Sequence, residues 1–563
     1  MAEIELRGPS VEQTPGVGAL TIGTFFDEVC TRFAANEALV FDDPLTGTTT
    51  RWTYADLQKQ AFRVTKALLA SEVSPGTRVG ILMANRPEAV AAYFGIACTG
   101  AVVVPLSTFS SRPELGYLLD HAEFRVLLMQ TRMGTHHFAA DVAALEPSAR
   151  VVALGSGEEL RSGEELRSGE ALGSGETARG FESWESFLAS GDHVADAEVE
   201  RASAAVDVTD DGVIIYSSGT TDRPKGVLHH QLAPTLQFWV QARIFGRHQA
   251  TRMWSALPIF WTAGMNTAMG ATLAAGGCWV MQEGFDAGEA LALLERERVT
   301  EPYTLPHQAK AMEEHPRWLA TDLSSLTCVY GKSVFPRHPS VTGDPSWCMP
   351  VGYGLSETCA FFASHYSSDP RHLLRESIGR LLPGNVLRVV DPDTGALLGP
   401  GSDGELVIKG PTLMKHYVGK SVAESLDPDG FFHTGDLGSF DTEGFVHWTG
   451  RGTEMIKTGG ANVSPAEIEV QLRACLPVKL SRVIGIPDPR LEQIAVLCLE
   501  LKEGAQASED DIRSFLRERV AAYKVPKRIL FFDDGEIPMT DSRTKVRDDA
   551  LLELVHARLQ PSQ

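Results

Sequence analysis

The stretch Tyr216-Ser-Ser-Gly-Thr-Thr-Asp-Arg-Pro-Lys-Gly-Val227 gathers donors and cations into one short segment. Ser217, Ser218, Thr220 and Thr221 surround Gly219, and Arg223, Pro224, Lys225 and Gly226 follow. Each oxygen of a polyphosphate needs a donor or a positive charge, and such a loop supplies both. The apolar run Gly212-Val-Ile-Ile215 leads into it and reads as a buried strand. A polar surface turn would account for the Gly and Pro, but not for a hydroxyl cluster at the end of a buried strand. The loop is not a Walker A sequence, in which Lys follows the second Gly and Ser or Thr comes next. Here Lys225 precedes Gly226, and Val227 follows.

The loop resembles the phosphate-binding signature of the adenylate-forming superfamily, Tyr-(Thr/Ser)-Ser-Gly-Thr-Thr-Gly-x-Pro-Lys-Gly. That superfamily holds acyl-CoA synthetases, peptide-synthetase adenylation domains and luciferases. Asp222 stands where the family usually has Gly. Three further stretches resemble the family in its own order: Val351-Gly-Tyr-Gly-Leu-Ser-Glu357, Phe432-His-Thr-Gly-Asp436 and Gly450-Arg-Gly-Thr-Glu-Met-Ile-Lys-Thr-Gly-Gly460. The resemblance implies that Ser217, Ser218, Gly219, Thr220, Thr221 and Lys225 hold the phosphates of ATP. It implies that Gly352, Tyr353 and Gly354 line the nucleotide site, with Tyr353 stacked on adenine. Ser356 is then expected at the α-phosphate and Glu357 on Mg²⁺. Asp436 is expected to accept both ribose hydroxyls, Arg451 to reach the ribose or phosphate, and Thr453 to occupy the hinge position. Gly459 and Gly460, free of side chains, suit a narrow pantetheine tunnel. Ala522-Tyr-Lys-Val-Pro526 resembles the segment near the coenzyme A site, which marks Lys524. Ile537-Pro-Met-Thr-Asp-Ser-Arg-Thr-Lys-Val546 resembles the segment whose Lys is catalytic, here Lys545 in a loop one residue longer and lacking Gly.

The acid site is less sharply marked. Trp254-Ser-Ala-Leu-Pro-Ile-Phe260 ends at Trp261-Thr-Ala-Gly264, where the family commonly reads Leu-Pro-x-Phe-His-x-x-Gly. Trp261 thus replaces a His, and Gly264 matches the closing Gly. Amino-acid-activating relatives place there an Asp that holds the α-amino group, and an indole cannot replace a carboxylate as partner for an ammonium. Trp261 in the pocket wall predicts a short, medium or cyclic apolar acid. Cys328-Val-Tyr-Gly-Lys-Ser-Val334 aligns with a pocket-lining segment and adds Gly331 and Lys332. Lys332 is read as solvated; pointing inward, it would favour a second acidic group on the substrate.

These residues need elements to position them. A chain of 563 residues with 43% hydrophobic side chains exceeds one ordinary core. Arg78-Val-Gly-Ile-Leu-Met83 and Ala101-Val-Val-Val-Pro105 read as strands, with a helix from Pro87 to Cys98 between them and another from Phe25 to Phe33. Strand–helix–strand units predict a mainly parallel sheet. Ser464-Pro-Ala-Glu-Ile-Glu469 reads as a capped helix start and Ile494-Ala-Val-Leu-Cys-Leu499 as a strand. Residues 156–179 repeat with period six, Ser-Gly-Glu at the head of each copy. That period fits neither helix nor strand, and the segment reads as a flexible insertion.

Composition narrows the partners. The formal charge of −22 repels nucleic acid and anionic membrane, so an ATP or coenzyme A site has to be locally basic. The 8 cysteines form no C-x-x-C pair, so neither a zinc site nor a disulfide framework is indicated. No apolar run spans a membrane, and the N-terminus lacks a leader pattern, so a cytoplasmic location is expected.

The resulting expectation is an α/β protein. Residues 1–452 form a large multi-layer N-terminal domain with a small β-barrel-like part, and residues 453–563 a small mobile α+β lid. The expected activity is ATP-dependent ligation of a small carboxylic acid to coenzyme A through an acyl-adenylate, with ATP, Mg²⁺ and coenzyme A as cofactors. Coenzyme A is preferred as acceptor because the chain is free-standing and no carrier domain follows. An acyl-AMP ligase serving a separate carrier protein is the alternative, and a non-catalytic nucleotide-binding relative the more distant one. A homodimer is left open.

Asp222 brings a negative charge to a loop read as binding phosphate. Asp222→Gly should therefore lower the KM for ATP in steady-state kinetics. An unchanged or raised KM would mean that Asp222 points away or shapes the turn productively.

Overall fold

The structure is a computed structural model that describes residues 5–155, 181–217, 223–330, 333–342, 350, 352–370, 372–373, 377–451, 455–473, 477–502, 504–539 and 546–559. The period-six segment 156–179 and Thr453 lie outside the described residues.

Helix starts follow from local hydrogen bonding. Thr21 accepts from the Thr24 N–H and opens Ile22–Arg32, while Pro occupies the first turn of Pro87–Ala97. Strands Arg150–Leu154, Val126–Gln130, Arg78–Leu82, Val102–Pro105 and Asp211–Ser217 lie side by side in that order, each pair parallel. Their Val, Ile and Leu residues are buried, as befits a sheet covered on both faces. Beyond Asp211–Ser217 the expected parallel pattern ends. Lys225–His230 and then His416–Tyr417 add antiparallel strands. The connection through residues 218–224 is too short for a crossover helix, so the chain has to turn straight back.

A second sheet runs Glu301–Pro302, Arg252–Ser255, Cys278–Met281, Glu37–Asp42 and Thr49–Thr53, parallel except for the final hairpin. Helices Ile22–Arg32, Tyr54–Ala70, Pro87–Ala97 and Leu232–Ile244 share one core with residues of both sheets. Aromatic rings fill it: Phe26 stacks on Phe94 at 4.3 Å, and Phe25 meets Phe238 at 5.0 Å. Strands Glu5–Arg7, Val386–Val390, Gly404–Lys409, Phe432–Phe440 and Val446–Arg451 form an antiparallel sheet, the barrel-like part.

From Ile456 onward the chain has its own hydrophobic clusters. Ile456, Ile468, Leu497 and Ile512 belong to one, and Ile484, Phe532, Leu551 and Val555 to another. Among the described residues, neither cluster contains a residue before Ile456. The sheet there centres on Glu492–Leu501, antiparallel to Val478–Asp488 and parallel to Arg528–Phe532. Among the described residues no helix is long and apolar enough to cross a membrane.

His229 backs the strand Lys225–His230. Its ring is fully buried, and its Nε2 lies 2.8 Å from the Ser356 carbonyl. A carbonyl only accepts, so Nε2 carries the proton. Burial pushes the His229 pKa down from 6.5 to about 4, against the opposing effect of that hydrogen bond. The unfolded chain therefore binds a proton near pH 6.5 that the folded chain refuses until about pH 4. The unfolded state holds more protons within that window, so the contribution is present above it and is lost as pH falls through it. Tm should drop between pH 6.5 and 4, and His229→Asn should flatten that drop. Parallel Tm–pH curves for the two proteins would count against the assignment.

Candidate active site

Strands Asp211–Ser217 and Lys225–His230 close on the pair Ser217 and Lys225, which face each other in antiparallel register. Tyr216 is held by a 2.9 Å hydrogen bond between its hydroxyl and His121 Nδ1, and Tyr117 donates to the Pro224 carbonyl at 3.2 Å. The Lys225 ammonium sits 5.2 Å from the ring centre of Tyr417. Burial lowers its pKa, Glu357 opposes that shift, and Lys420 adds to it. Tyr417 in turn donates to Glu357 Oε1 at 2.7 Å. One aromatic side chain therefore lies against both the cation and the carboxylate.

Glu357 lies in the single turn Ser356–Thr358 that follows strand Gly352–Leu355. A Cβ at Gly354 would overlap the Ala360 carbonyl, so only glycine fits that close approach. Cys359 ends the turn at φ +61°, a left-handed conformation uncommon for a residue with a side chain. Asn266 Nδ2 donates to the Cys359 carbonyl and holds the turn in place.

Tyr353 and Asp436 come together: the Tyr353 hydroxyl donates to Asp436 Oδ2 at 2.7 Å, and both residues are buried. Asp436 lies opposite Arg451 in the pairing of Phe432–Phe440 with Val446–Arg451. Gly459 and Gly460 form a two-residue hairpin with φ of +58° and +79°, joining Ile456–Thr458 to Ala461–Val463. Both positive angles are what such a turn demands, so the glycines answer a backbone requirement. This hairpin packs against Leu305 and His307.

Lys524 is almost fully buried between two carboxylates. Its Nζ lies 2.7 Å from Glu114 Oε1 and 2.7 Å from Glu467 Oε1. Burial works against its charge, but Tyr523, Glu467 and Glu114 outweigh it and raise the pKa above the usual lysine value. Glu114 belongs to the large part of the chain and also accepts from the Ser111 N–H at 2.8 Å.

A cavity of about 690 Å³ unites these features. Of the residues singled out by sequence, Ser217, Lys225, Trp261, Gly352, Gly354, Ser356, Glu357, Gly460 and Lys524 line it. Trp261 is half-buried and meets Phe109 and Phe260 edge-on, each at 5.8 Å. Phe109 also touches Tyr523 at 6.4 Å, so the aromatic wall extends to the C-terminal part. Gly264, placed in the pocket by sequence, is buried instead in the wide π-type turn Ala263–Gly270, where a Cβ would overlap the Pro258 carbonyl. Tyr353, Asp436 and Gly459 adjoin the lining rather than form it. Ser218, Gly219, Thr220, Thr221, Asp222, Gly331, Lys332 and Lys545, with the side chain of Arg451, lie outside the described residues.

Among the described lining residues, Lys225 and Lys524 face Glu114, Glu357 and Glu405. No group of three or more His, Cys, Asp and Glu able to hold a metal ion occurs among the described residues. A single carboxylate nonetheless fits Mg²⁺, which binds through one or two carboxylates plus substrate phosphates. Sequence reasoning missed Tyr417, Glu114 and Phe109. Lone tyrosines, glutamates and phenylalanines outside a motif carry no spacing signal.

Residues 26–418 match the family model of AMP-binding enzymes, and residues 467–543 that of the AMP-binding enzyme C-terminal domain. The chain is 31% identical over 502 residues to a feruloyl-CoA synthase of an Amycolatopsis species, covering 88% of this chain and 92% of that protein. It is 32% identical over 513 residues to an indoleacetate–CoA ligase of Aromatoleum aromaticum, with 89% and 93% covered. Among solved structures, the amide bond synthetase McbA of Marinactinospora thermotolerans superposes with a TM-score of 0.72 at 26% identity, covering 94% of this chain and 99% of that one. An o-succinylbenzoate CoA synthetase of Bacillus subtilis shares the fold, with a TM-score of 0.69 at 22% identity and 94% and 98% covered. The chain belongs to the AMP-binding enzyme family, within the adenylate-forming superfamily.

Proposed function

We propose that this protein is an AMP-forming ligase that joins a small carboxylic acid to coenzyme A. The observation that carries the reading is one cavity bounded by Ser217 and Lys225, by the Ser356–Glu357 turn and by the hairpin residues Gly460 to Asn462. Relatives named as CoA synthases and ligases support coenzyme A over a carrier protein as acceptor.

In the first step the substrate carboxylate attacks the α-phosphorus of ATP, and the bond to pyrophosphate breaks. Two anions have to approach, so positioning and charge neutralisation dominate. Lys225 and the phosphate-loop donors hold the phosphates, with Ser356 at the α-phosphate. Glu357, oriented by the Tyr417 hydroxyl, would hold Mg²⁺, which when bound neutralises phosphate charge. In the second step a thiol sulfur attacks the acyl carbonyl, the thioester C–S bond forms and AMP leaves. The Gly459–Gly460 hairpin and Lys524 stand at the cavity in an arrangement that suits this second step. The buried contact from Lys524 to Glu114 favours that arrangement and has to open for the other.

Two variants separate the steps. Lys545→Ala should cut pyrophosphate exchange about a hundredfold or more while sparing thioester formation from supplied acyl-adenylate. Glu114→Gln should do the reverse, lowering thioester formation more than exchange, because it leaves a buried ammonium with one carboxylate fewer. Measuring both half-reactions on folded proteins decides. Equal losses in both would sink the assignment of either residue, and AMP release without any coenzyme A thioester would sink the acceptor.

A further inference from the structure

Phe260 and Trp261 stand next to each other in the cavity lining. On the ligase reading above, on which this inference rests, the phosphates of ATP take the polar lining and the acyl group takes the apolar lining to which this pair belongs. Where the two rings stand is set by the backbone that leads into them. Strand Arg252–Ser255 ends shortly before the pair, and Ala256–Ile259 joins the two.

That joining segment is pinned group by group. The Ser255 hydroxyl accepts from the Leu257 N–H at 3.1 Å. The Leu257 carbonyl accepts from Asn85 Nδ2 at 2.9 Å, and the Ile259 N–H donates to Asn85 Oδ1 at 3.2 Å. A carbonyl only accepts and a backbone N–H only donates, so both ends of the Asn85 amide are fixed in sense. The Pro258 carbonyl accepts from the Trp261 N–H at 3.0 Å, and the Trp261 carbonyl from the Met265 N–H at 2.9 Å. A Cβ at Gly264 would overlap the Pro258 carbonyl, so the segment is packed tightly from the side of Ala263–Gly270 as well. Asn85 is fully buried, so water does not replace either of its bonds when they are lost.

Asn85 comes from the other sheet. It follows strand Arg78–Leu82, and its neighbours in sequence are anchored on both sides. The Ala84 N–H donates to Gln130 Oε1 at 2.7 Å, and Gln130 Nε2 donates to Glu283 Oε1 at 3.2 Å. The Arg86 guanidinium meets Glu88 at 2.9 Å, Asp43 at 3.4 Å and Glu283 at 3.5 Å. Gln130, Asp43 and Glu283 stand at or just past the carboxyl ends of strands Val126–Gln130, Glu37–Asp42 and Cys278–Met281. Asn85 is thus held by the frame of both sheets. It spends both ends of its amide on the two peptide groups that flank Pro258, just ahead of the aromatic pair.

We infer that Asn85 is a positioning residue for the acid: by clamping Leu257 and Ile259 it fixes the Phe260–Trp261 wall, and so sets which acyl groups fit the cavity. Asn85 itself lies behind the lining. Without the clamp the two rings are free to take several positions. The best-fitting acid then binds less well, and poorer acids gain relative to it, because fit to a fixed wall is what separates them. ATP, held by Ser217, Lys225 and the Ser356–Glu357 turn, keeps its affinity.

The test measures KM and kcat for butanoic, hexanoic, octanoic, benzoic, phenylacetic and 3-phenylpropanoic acids, and KM for ATP, on wild type, Asn85→Ala and Asn85→Asp. Asn85→Ala removes both bonds. Asn85→Asp keeps the acceptor for the Ile259 N–H but sets an oxygen against the Leu257 carbonyl. In both, KM for the best acid should rise about tenfold or more and the ranking of acids should flatten, while KM for ATP stays at its wild-type value. Ser255→Ala is a milder change that frees the Leu257 N–H. It should shift the ranking the same way to a smaller extent, and it carries the test if the Asn85 variants do not fold. Thr65→Val breaks buried hydrogen bonds to the Ala61 and Gly95 carbonyls, away from the lining, and should lower Tm without changing the ranking. An unchanged ranking in the folded Asn85 variants, or in Ser255→Ala where those fail, overturns the positioning role and leaves the ligase reading intact. Equal rises in KM for ATP and acid overturn it too, as does a ranking flattened as much by Thr65→Val, since general loosening is then the cause. Wild type that shows neither pyrophosphate exchange nor thioester with any of the acids defeats the ligase reading and this inference with it.

Discussion

Residues 218–224 are too few to carry a crossover helix, so the chain leaving strand Asp211–Ser217 comes back beside it in antiparallel register. Much of the polar end of the cavity depends on that return. It sets Lys225 opposite Ser217. It offers the outer edge of Lys225–His230 to strand His416–Tyr417, which brings Tyr417 within reach of Glu357. It also turns His229 inward to donate to the Ser356 carbonyl, tying this hairpin to the turn that carries Glu357. A slip of one residue would exchange inward and outward side chains along the whole strand. His229 would then face outward and the Ser356 carbonyl would lose its donor.

Charge is arranged differently at the boundary with the C-terminal part. The large part and the C-terminal part each keep their own apolar clusters, and polar contacts lie where they meet. Lys524 reaches Glu114 while keeping Glu467 of its own part, and Arg490 reaches Glu314 at 2.9 Å near the surface. An ammonium between two carboxylates gives up water for two charge-assisted hydrogen bonds, and net stability from such burial is modest. Lys524 keeps Glu467 if the contact with Glu114 opens, so its charge is never left without a partner. An interface of this kind can be remade, whereas an apolar seam of similar area would hold the two parts together.

The sequence made the main elements legible because their signals are local. Thr21, Pro87 and Pro465 mark helix starts, and the Val- and Ile-rich runs mark buried strands. The antiparallel return at Lys225 carries no signal in the strand–helix–strand alternation upstream, which speaks only for the parallel strands before it. Gly459 and Gly460 were noticed for their lack of side chains, but their positive φ angles supply the stronger reason. Tyr417 and Glu114 could not be read at all. Each acts through a partner dozens or hundreds of residues away, as Glu114 does with Lys524, and a lone residue leaves no periodic trace of such a meeting.

Helix Leu232–Ile244 shows why part of the candidate site was hidden. Nearly every residue along it is buried, so it has no polar face on which to place its glutamines. By composition it reads as an ordinary core helix with two misplaced polar residues. Gln237 and Gln241 are four apart and therefore stack on one side, where the amide of one can serve the other. Two amides in a buried helix are tolerated only when every link is satisfied, which requires a defined start and a defined end. The start is the backbone of the turn that follows Glu357, through the Thr358 and Phe361 carbonyls. The end is a hydroxyl at the cavity wall. The same hydrogen bonds that make the core polar thus couple the turn that follows Glu357 to the cavity wall at Thr267. Exchanging either glutamine for a hydrocarbon would preserve most of the packing volume but break the chain that runs from the Thr358 and Phe361 carbonyls to Thr267.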